Sequence, residues 1–182
     1  MRGVRWMRPV VRGVLLAASV LTAACRAPHA REQTVRMLLV NAGEADAITW
    51  AGLVQPLRLA AAALGVDALG LNLYPPSPRS VSIEKAAELA RLMPAFMLPV
   101  LLFVNDTAER IEAACAAVPG AWLQFHGDES PEFCASMTQR TGRPHLKAAR
   151  IPLSEAARFD LLEFATQHPA AHALLLDAHV DG

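Results

Sequence analysis

From Val66 onward, short apolar runs alternate with stretches in which apolar residues recur every three or four positions. The first pattern is that of buried strands and the second that of helices with one apolar face. Asp67 to Leu73 forms a compact strand candidate, and Pro75, Pro76 and Pro78 force a loop after it, because proline fixes φ and removes a donor. Ser82 then caps a helix whose stripe is Ile83, Ala86, Ala87, Ala90 and Met93. Val100 to Val104 is the next strand. The spacing from Asp106 to Glu109 is that of a capping box with Asp106 as the cap, opening a helix that buries Ile111, Ala114, Cys115 and Val118. Trp122 to Phe125 is a third strand. Ser130 and Pro131 supply a cap and a first-turn proline, and Phe133 and Met137 lie one turn apart behind them. His145 to Ala149 forms a strand, Leu153 to Gln167 a helix ended by Pro169, and Ala173 to Leu176 a final strand. Upstream the signals are weaker: Met37 to Val40 suits a short strand and Ala51 to Leu64 a helix.

Strands that alternate with helices are joined as parallel neighbours through right-handed crossovers. A doubly wound sheet and part of a (β/α)8 barrel both satisfy this pattern, and periodicity does not choose between them. The 182 residues suffice for one domain with a sizeable core. With 17 basic and 17 acidic residues the formal net charge is zero, so nothing in the charge favours nucleic acid, an anionic membrane or an acidic polymer as partner. The three cysteines, Cys25, Cys115 and Cys134, are odd in number and widely spaced. They form neither a disulfide framework nor a paired zinc motif, and they suit a reducing cytoplasm. Cys115 falls on a buried stripe and is expected to be core.

The first residues have a different character. Arg2, Arg5, Arg8 and Arg12 precede an apolar run from Gly13 to Ala24 that ends at Cys25, as in a secretory signal or a lipoprotein box. The run is shorter than the roughly 20 apolar residues of a spanning helix. Residues 1–36 are therefore expected to be a signal-like or out-of-frame segment with a linker, and 37–182 the folded domain.

In a βα barrel, chemistry sits at the C-terminal ends of the strands. Those positions hold Arg79 in the proline-rich loop, Asn105 and Asp106 after the second strand, His126 after the third, and Asp177 after the last. Each has an ordinary alternative: Arg79 a solvated charge, His126 a partner of local backbone, Asp177 a turn cap. Their convergence on one rim favours a site. Lys147 lies inside a strand, to face the barrel mouth or to pair with a buried acid.

The wording of these segments carries a resemblance. Leu73-Tyr-Pro-Pro-Ser-Pro-Arg-Ser-Val-Ser82, Phe103-Val-Asn105, Leu123-Gln-Phe-His-Gly-Asp-Glu-Ser-Pro-Glu-Phe-Cys134, Leu146-Lys-Ala148 and Leu174-Leu-Leu-Asp177 resemble phosphoribosylanthranilate isomerase, in that family's order, from Gly65 to the end. The resemblance implies an incomplete (β/α)8 TIM barrel of the α/β class with about five to six βα units. It implies an Amadori rearrangement of N-(5-phosphoribosyl)anthranilate in tryptophan biosynthesis, in the cytoplasm, on a small phosphosugar substrate. No metal and no organic cofactor are expected. By position Asp177 matches the family's general acid, Arg79 the arginine beside the anthranilate, and Gln124 and His126 a segment that binds substrate in a supporting role.

The sequence also departs from the family. The Lys-Ile-Cys-Gly strand with the general-base cysteine is missing, and Ala51 stands nearest to the cysteine's place. The glycine-rich phosphate segments that follow the acid in the family are not seen before Gly182. On this reading the chain has at most six strands, an open sheet with exposed edges, and no activity as it stands. The abrupt onset at Gly65 suggests a reading-frame change just upstream. A different class of function, an exported or lipid-anchored non-enzymatic protein using the segment from Arg2 to Cys25, is the alternative.

Overall fold

The computed structural model describes residues 20–25, 35–39, 66–152 and 159–179. Seven strands and four helices lie within them. The strands are β1 (Val20–Cys25), β2 (Val35–Leu39), β3 (Ala68–Asn72), β4 (Leu98–Phe103), β5 (Trp122–Phe125), β6 (His145–Pro152) and β7 (Ala173–His179). The helices are α1 (Ile83–Leu92), α2 (Ala108–Ala117), α3 (Pro131–Thr141) and α4 (Leu161–Gln167). The helix expected from Ala51 to Leu64 lies outside the described residues, as does Ala51 itself.

Strands β2 to β7 run parallel in sequence order, the arrangement of a (β/α)8 barrel short of its full count. The expected open sheet is not found. Strand β1 pairs antiparallel with both β2 and β7 and closes a seven-stranded barrel. Two parallel edges would each present a row of unpaired N–H and C=O groups, and one antiparallel strand satisfies both. The strand that does so comes from the segment expected to be signal-like.

The helix starts follow local chemistry. The Ser82 and Ser130 hydroxyls accept from the amides of Lys85 and Phe133, and Pro131 occupies the first turn of α3. The cap of α2 falls one residue later than the spacing suggested. Thr107 is the cap, its hydroxyl accepting from Arg110 N, while the Asp106 carboxylate accepts from Thr107 N and pairs with Arg110. Helix α4 starts at Leu161, and residues 153–158 of the helix expected from Leu153 lie outside the described residues. The Asp160 carboxylate accepts from the amides of Leu162 and Glu163 and so fixes that start. Gly142 ends α3 at φ 66°, a left-handed conformation that glycine adopts without steric cost.

Two apolar layers hold the barrel. Outside the sheet, Leu71, Leu101, Phe103, Leu123 and Phe125 pack against Ala86, Ile111, Ala114, Cys115, Cys134 and Met137 of the helices. Cys115 is core, as its stripe implied. Inside, Ala68, Val100, Leu146, Ala148, Ala173 and Leu175 fill the barrel, and their small size suits a narrow interior. Toward the C-terminal rim this period-two alternation brings inward the polar Asn72, Gln124, Arg150 and Asp177, with Leu102 the apolar exception on β4.

His145 is buried on the helix side of β6, edge-on to Phe125 with ring centroids 5.5 Å apart, and its Nδ1 lies 2.7 Å from Thr138 Oγ1. Burial pushes its imidazole down to about 4, reinforced by His168, Lys147 and His172. The unfolded chain binds this proton near pH 6.5, so the neutral folded form is favoured above that pH, and the advantage fades as pH falls toward 4. Urea unfolding is expected to show a loss on the order of 3 kcal/mol between pH 7 and pH 4 attributable to this residue. His145→Gln should flatten the decline; an identical decline in the variant would refute the assignment.

Candidate active site

The parallel strands deliver their C-terminal ends to one rim, and the inward positions there are Asn72 on β3, Gln124 on β5 with His126 just past its end, Arg150 on β6 and Asp177 on β7. Asp177 does not follow its strand. Strand β7 continues to His179 because β6 also runs on to Pro152, and Arg150 and Asp177 are direct neighbours in register. Both strands outrun their apolar sequence runs because each supplies the other's hydrogen bonds.

His126 links two strands. Gln124 is fully buried and its amide Nε2 lies 3.0 Å from His126 Nδ1; on the ring's other side, His126 Nε2 lies 3.0 Å from Asp177 Oδ2. The sequence separation of 51 residues between His126 and Asp177 is closed by the barrel alone. The ring is partly open to solvent (23% side-chain exposure) and Asp177 more so (36%), which puts the pair at the mouth.

Arg79 is brought to the same rim by a folded loop. Asn72 Oδ1 accepts from Tyr74 N and its amide donates to Ser77 Oγ, which in turn accepts from Arg79 N at 3.2 Å. Val81 N returns to Asn72 O at 2.8 Å and closes the loop. Arg79 is half-buried, and among the described residues its guanidinium makes no ion pair with a carboxylate.

Beneath the rim lies an ion pair that the sequence offered only as one of two options for Lys147. Lys147 Nζ donates to Glu129 Oε2 and to Gly127 O, both at 2.8 Å, and both side chains are nearly inaccessible. The Glu129 carboxylate also accepts from Asn105 N at 2.8 Å and Gly127 N at 3.0 Å. Asn105 is held at φ 49° and its Oδ1 accepts from Asp128 N at 2.7 Å. A Cβ on Gly127 would lie 2.5 Å from that Oδ1 and 2.9 Å from Asn105 N, so only glycine fits next to His126. Glu129 was missed as a site-building residue. Its one signal was its place two residues beyond Gly127. Arg150 reaches over this loop to Asp128.

Cys115 and Cys134 contribute no chemistry to the rim. Burial pushes Cys134 up to about 11 and raises Cys115, so both remain protonated and unreactive near neutral pH. Among the described residues no group of three or more His, Cys, Asp or Glu could hold a metal ion, and no helix is long and apolar enough to cross a membrane.

No family model matches the chain. Individual proteins do. The chain is 51% identical over 122 residues to N-(5'-phosphoribosyl)anthranilate isomerase of Leptothrix cholodnii, covering 67% of this chain and 52% of that protein. It is 52% identical over 123 residues to the enzyme of the same name from Methylibium petroleiphilum, covering 68% and 54%. The chain thus spans about half the length of the curated relatives it matches. Among solved structures, phosphoribosyl anthranilate isomerase from Thermotoga maritima superposes with a TM-score of 0.58 at 28% identity, covering 70% of this chain and 58% of that one. The Thermus thermophilus structure gives 0.57 at 32% identity, covering 71% and 60%.

Removing one partner of a buried ion pair leaves the other charge uncompensated. Lys147→Met is therefore expected to cost about 3 to 5 kcal/mol in urea unfolding. Adding Glu129→Gln to it should recover part of the loss, a coupling that a double-mutant cycle reads directly. Additive losses would show that the two groups do not depend on each other.

Proposed function

We propose that this chain, homologous to the phosphoribosylanthranilate isomerases along about half of their length, carries the acid side of that isomerase's site and acts on an anthranilate-bearing phosphosugar. The observation that supports this most is Asp177 held by His126 on the inward face of the rim, with the residues of the family's segments gathered around it. The rearrangement needs the furanose ring opened and a proton removed from the sugar C2 carbon. Asp177 supplies the general acid at the ring oxygen. A carboxyl must be protonated to do so. His126 fixes the rotamer of the acid. Arg79 takes the anthranilate carboxylate, for which a planar guanidinium offers two parallel donors.

Among the residues whose side chains are described, no thiol stands at this rim as a base, since Cys115 and Cys134 are buried away from it. A positioned base contributes roughly 100-fold or more to such a proton transfer. Wild-type chain is therefore expected to bind the substrate and to turn it over at least about 100-fold more slowly than a complete isomerase. Loss of anthranilate fluorescence during turnover, together with titration of the rearranged product, measures both quantities. Arg79→Ala should weaken binding about tenfold or more, on the scale of one charge-assisted hydrogen bond. Asp177→Asn should remove residual turnover while leaving binding within a few-fold. Binding that Arg79→Ala leaves unchanged, or turnover that survives Asp177→Asn, would overturn the reading.

A further inference from the structure

The loop that carries Arg79 is poor in backbone donors. Pro75, Pro76 and Pro78 lack an N–H, which leaves six amides from Leu73 to Val81. Leu73 N, Ser77 N, Ser80 N and Val81 N donate to backbone carbonyls. The other two donate to side chains, Tyr74 N to Asn72 Oδ1 at 2.9 Å and Arg79 N to Ser77 Oγ at 3.2 Å. Asn72 Nδ2 joins the two acceptors by donating to Ser77 Oγ at 3.1 Å. We propose that Asn72 and Ser77 are positioning residues, a side-chain relay that fixes the backbone of Arg79 at the rim so that its guanidinium meets a carboxylate. The inference rests on the reading of Arg79 as the ligand of the anthranilate carboxylate, and it assigns Asn72 and Ser77 a role distinct from substrate contact.

Elementary chemistry fixes the direction of each bond in the relay. A backbone N–H can only donate, so the oxygen of the Asn72 amide faces Tyr74 N and its nitrogen faces Ser77. The Ser77 hydroxyl oxygen has two lone pairs and receives two donors, Asn72 Nδ2 and Arg79 N. Asn72 is only 7% exposed and ends β3, so the relay is anchored in the sheet rather than in the loop. That strand end is held in turn. Leu73 N donates to Leu102 O at 3.0 Å, and Leu73 O accepts from Arg110 Nη2 of α2 at 2.8 Å. Beyond its anchored amide, Arg79 is half-buried, and among the described residues its guanidinium makes no ion pair with a carboxylate. Ordering a loop backbone and a long side chain at the moment of binding costs affinity. A backbone fixed in advance leaves only the rotamers of the arginine to settle.

Relaxation of the backbone ¹⁵N nuclei in the full, ligand-free chain reads the relay directly. The wild-type Arg79 amide is expected to be as rigid as the strands, with an order parameter of about 0.85, and to fall below about 0.6 in Ser77→Ala. Ser77→Thr keeps the hydroxyl and should restore the rigidity. Titration of the carboxyphenylamino-deoxyribulose phosphate product against its phenylamino analogue, which lacks the carboxylate, then reads the consequence. The wild type should prefer the carboxylate form. Ser77→Ala should cut that preference about threefold or more, on the scale of one hydrogen bond, while affinity for the analogue stays within about twofold. In an Arg79→Ala background Ser77→Ala should change neither affinity further. An Arg79 amide already flexible in the wild type would overturn the proposal without any variant, and so would equal losses for the two ligands. A wild-type preference that Ser77→Ala leaves intact overturns the proposal alone. Absence of any wild-type preference overturns the reading of Arg79 and the proposal with it.

Discussion

The carboxylate of Glu129 gathers three donors, the amides of Asn105 and Gly127 and the ammonium of Lys147. It thereby ties the segments just past β4 and β5 to Lys147 within β6, under the barrel rim. Two charges withdrawn from water are costly unless each is paired and hydrogen-bonded, and here both are. The consequence is local precision. Asn105 is held in a left-handed conformation, Gly127 is pressed against it, and His126 leaves β5 along one path. The geometry of the rim depends on this knot more than on any contact at the rim itself.

Above the knot the barrel changes character by a simple rule. Inward positions at mid-barrel carry Ala68, Val100, Ala148 and Leu175, and the inward positions nearer the rim carry Asn72, Leu102, Gln124, Arg150 and Asp177, polar on every one of these strands but β4. The same period of two that fills the interior with small apolar residues delivers polar ones to the mouth. His126 then joins β5 to β7 across the opening. A rigid apolar floor with a hydrogen-bonded polar rim is an arrangement suited to holding one carboxyl group in one orientation.

Much of the fold was legible in the sequence because its causes are local. The serine caps at Ser82 and Ser130, the proline at Pro131, the prolines after β3 and the buried stripe of α2 each act within a few residues. Where local reasoning erred, a competing local donor or a neighbouring strand explains it. Thr107 displaced Asp106 as the cap of α2 because Asp106 was engaged with Thr107 N and Arg110. Asp160 set the start of α4. Strands β6 and β7 lengthened past their apolar runs because each satisfied the other's backbone. The candidate residues at the strand ends were visible for the same reason, since ionisable groups just after apolar strand runs mark a rim.

Sequence alone thus determined the order of the strands and helices from β3 to β7, the caps at Ser82 and Ser130, and the candidate residues at the strand ends. These follow from dihedral preference, capping chemistry and hydrophobic period, which act over one or two turns of chain. Only tertiary structure decided the closure by β1, the burial of Glu129 against Lys147, the contact of His126 with Asp177, and the withdrawal of Gln124 from solvent. Each of these joins residues from different strands, or depends on what the barrel covers. Their energies come from pairing groups that the chain itself keeps far apart, and no window along the sequence contains both partners.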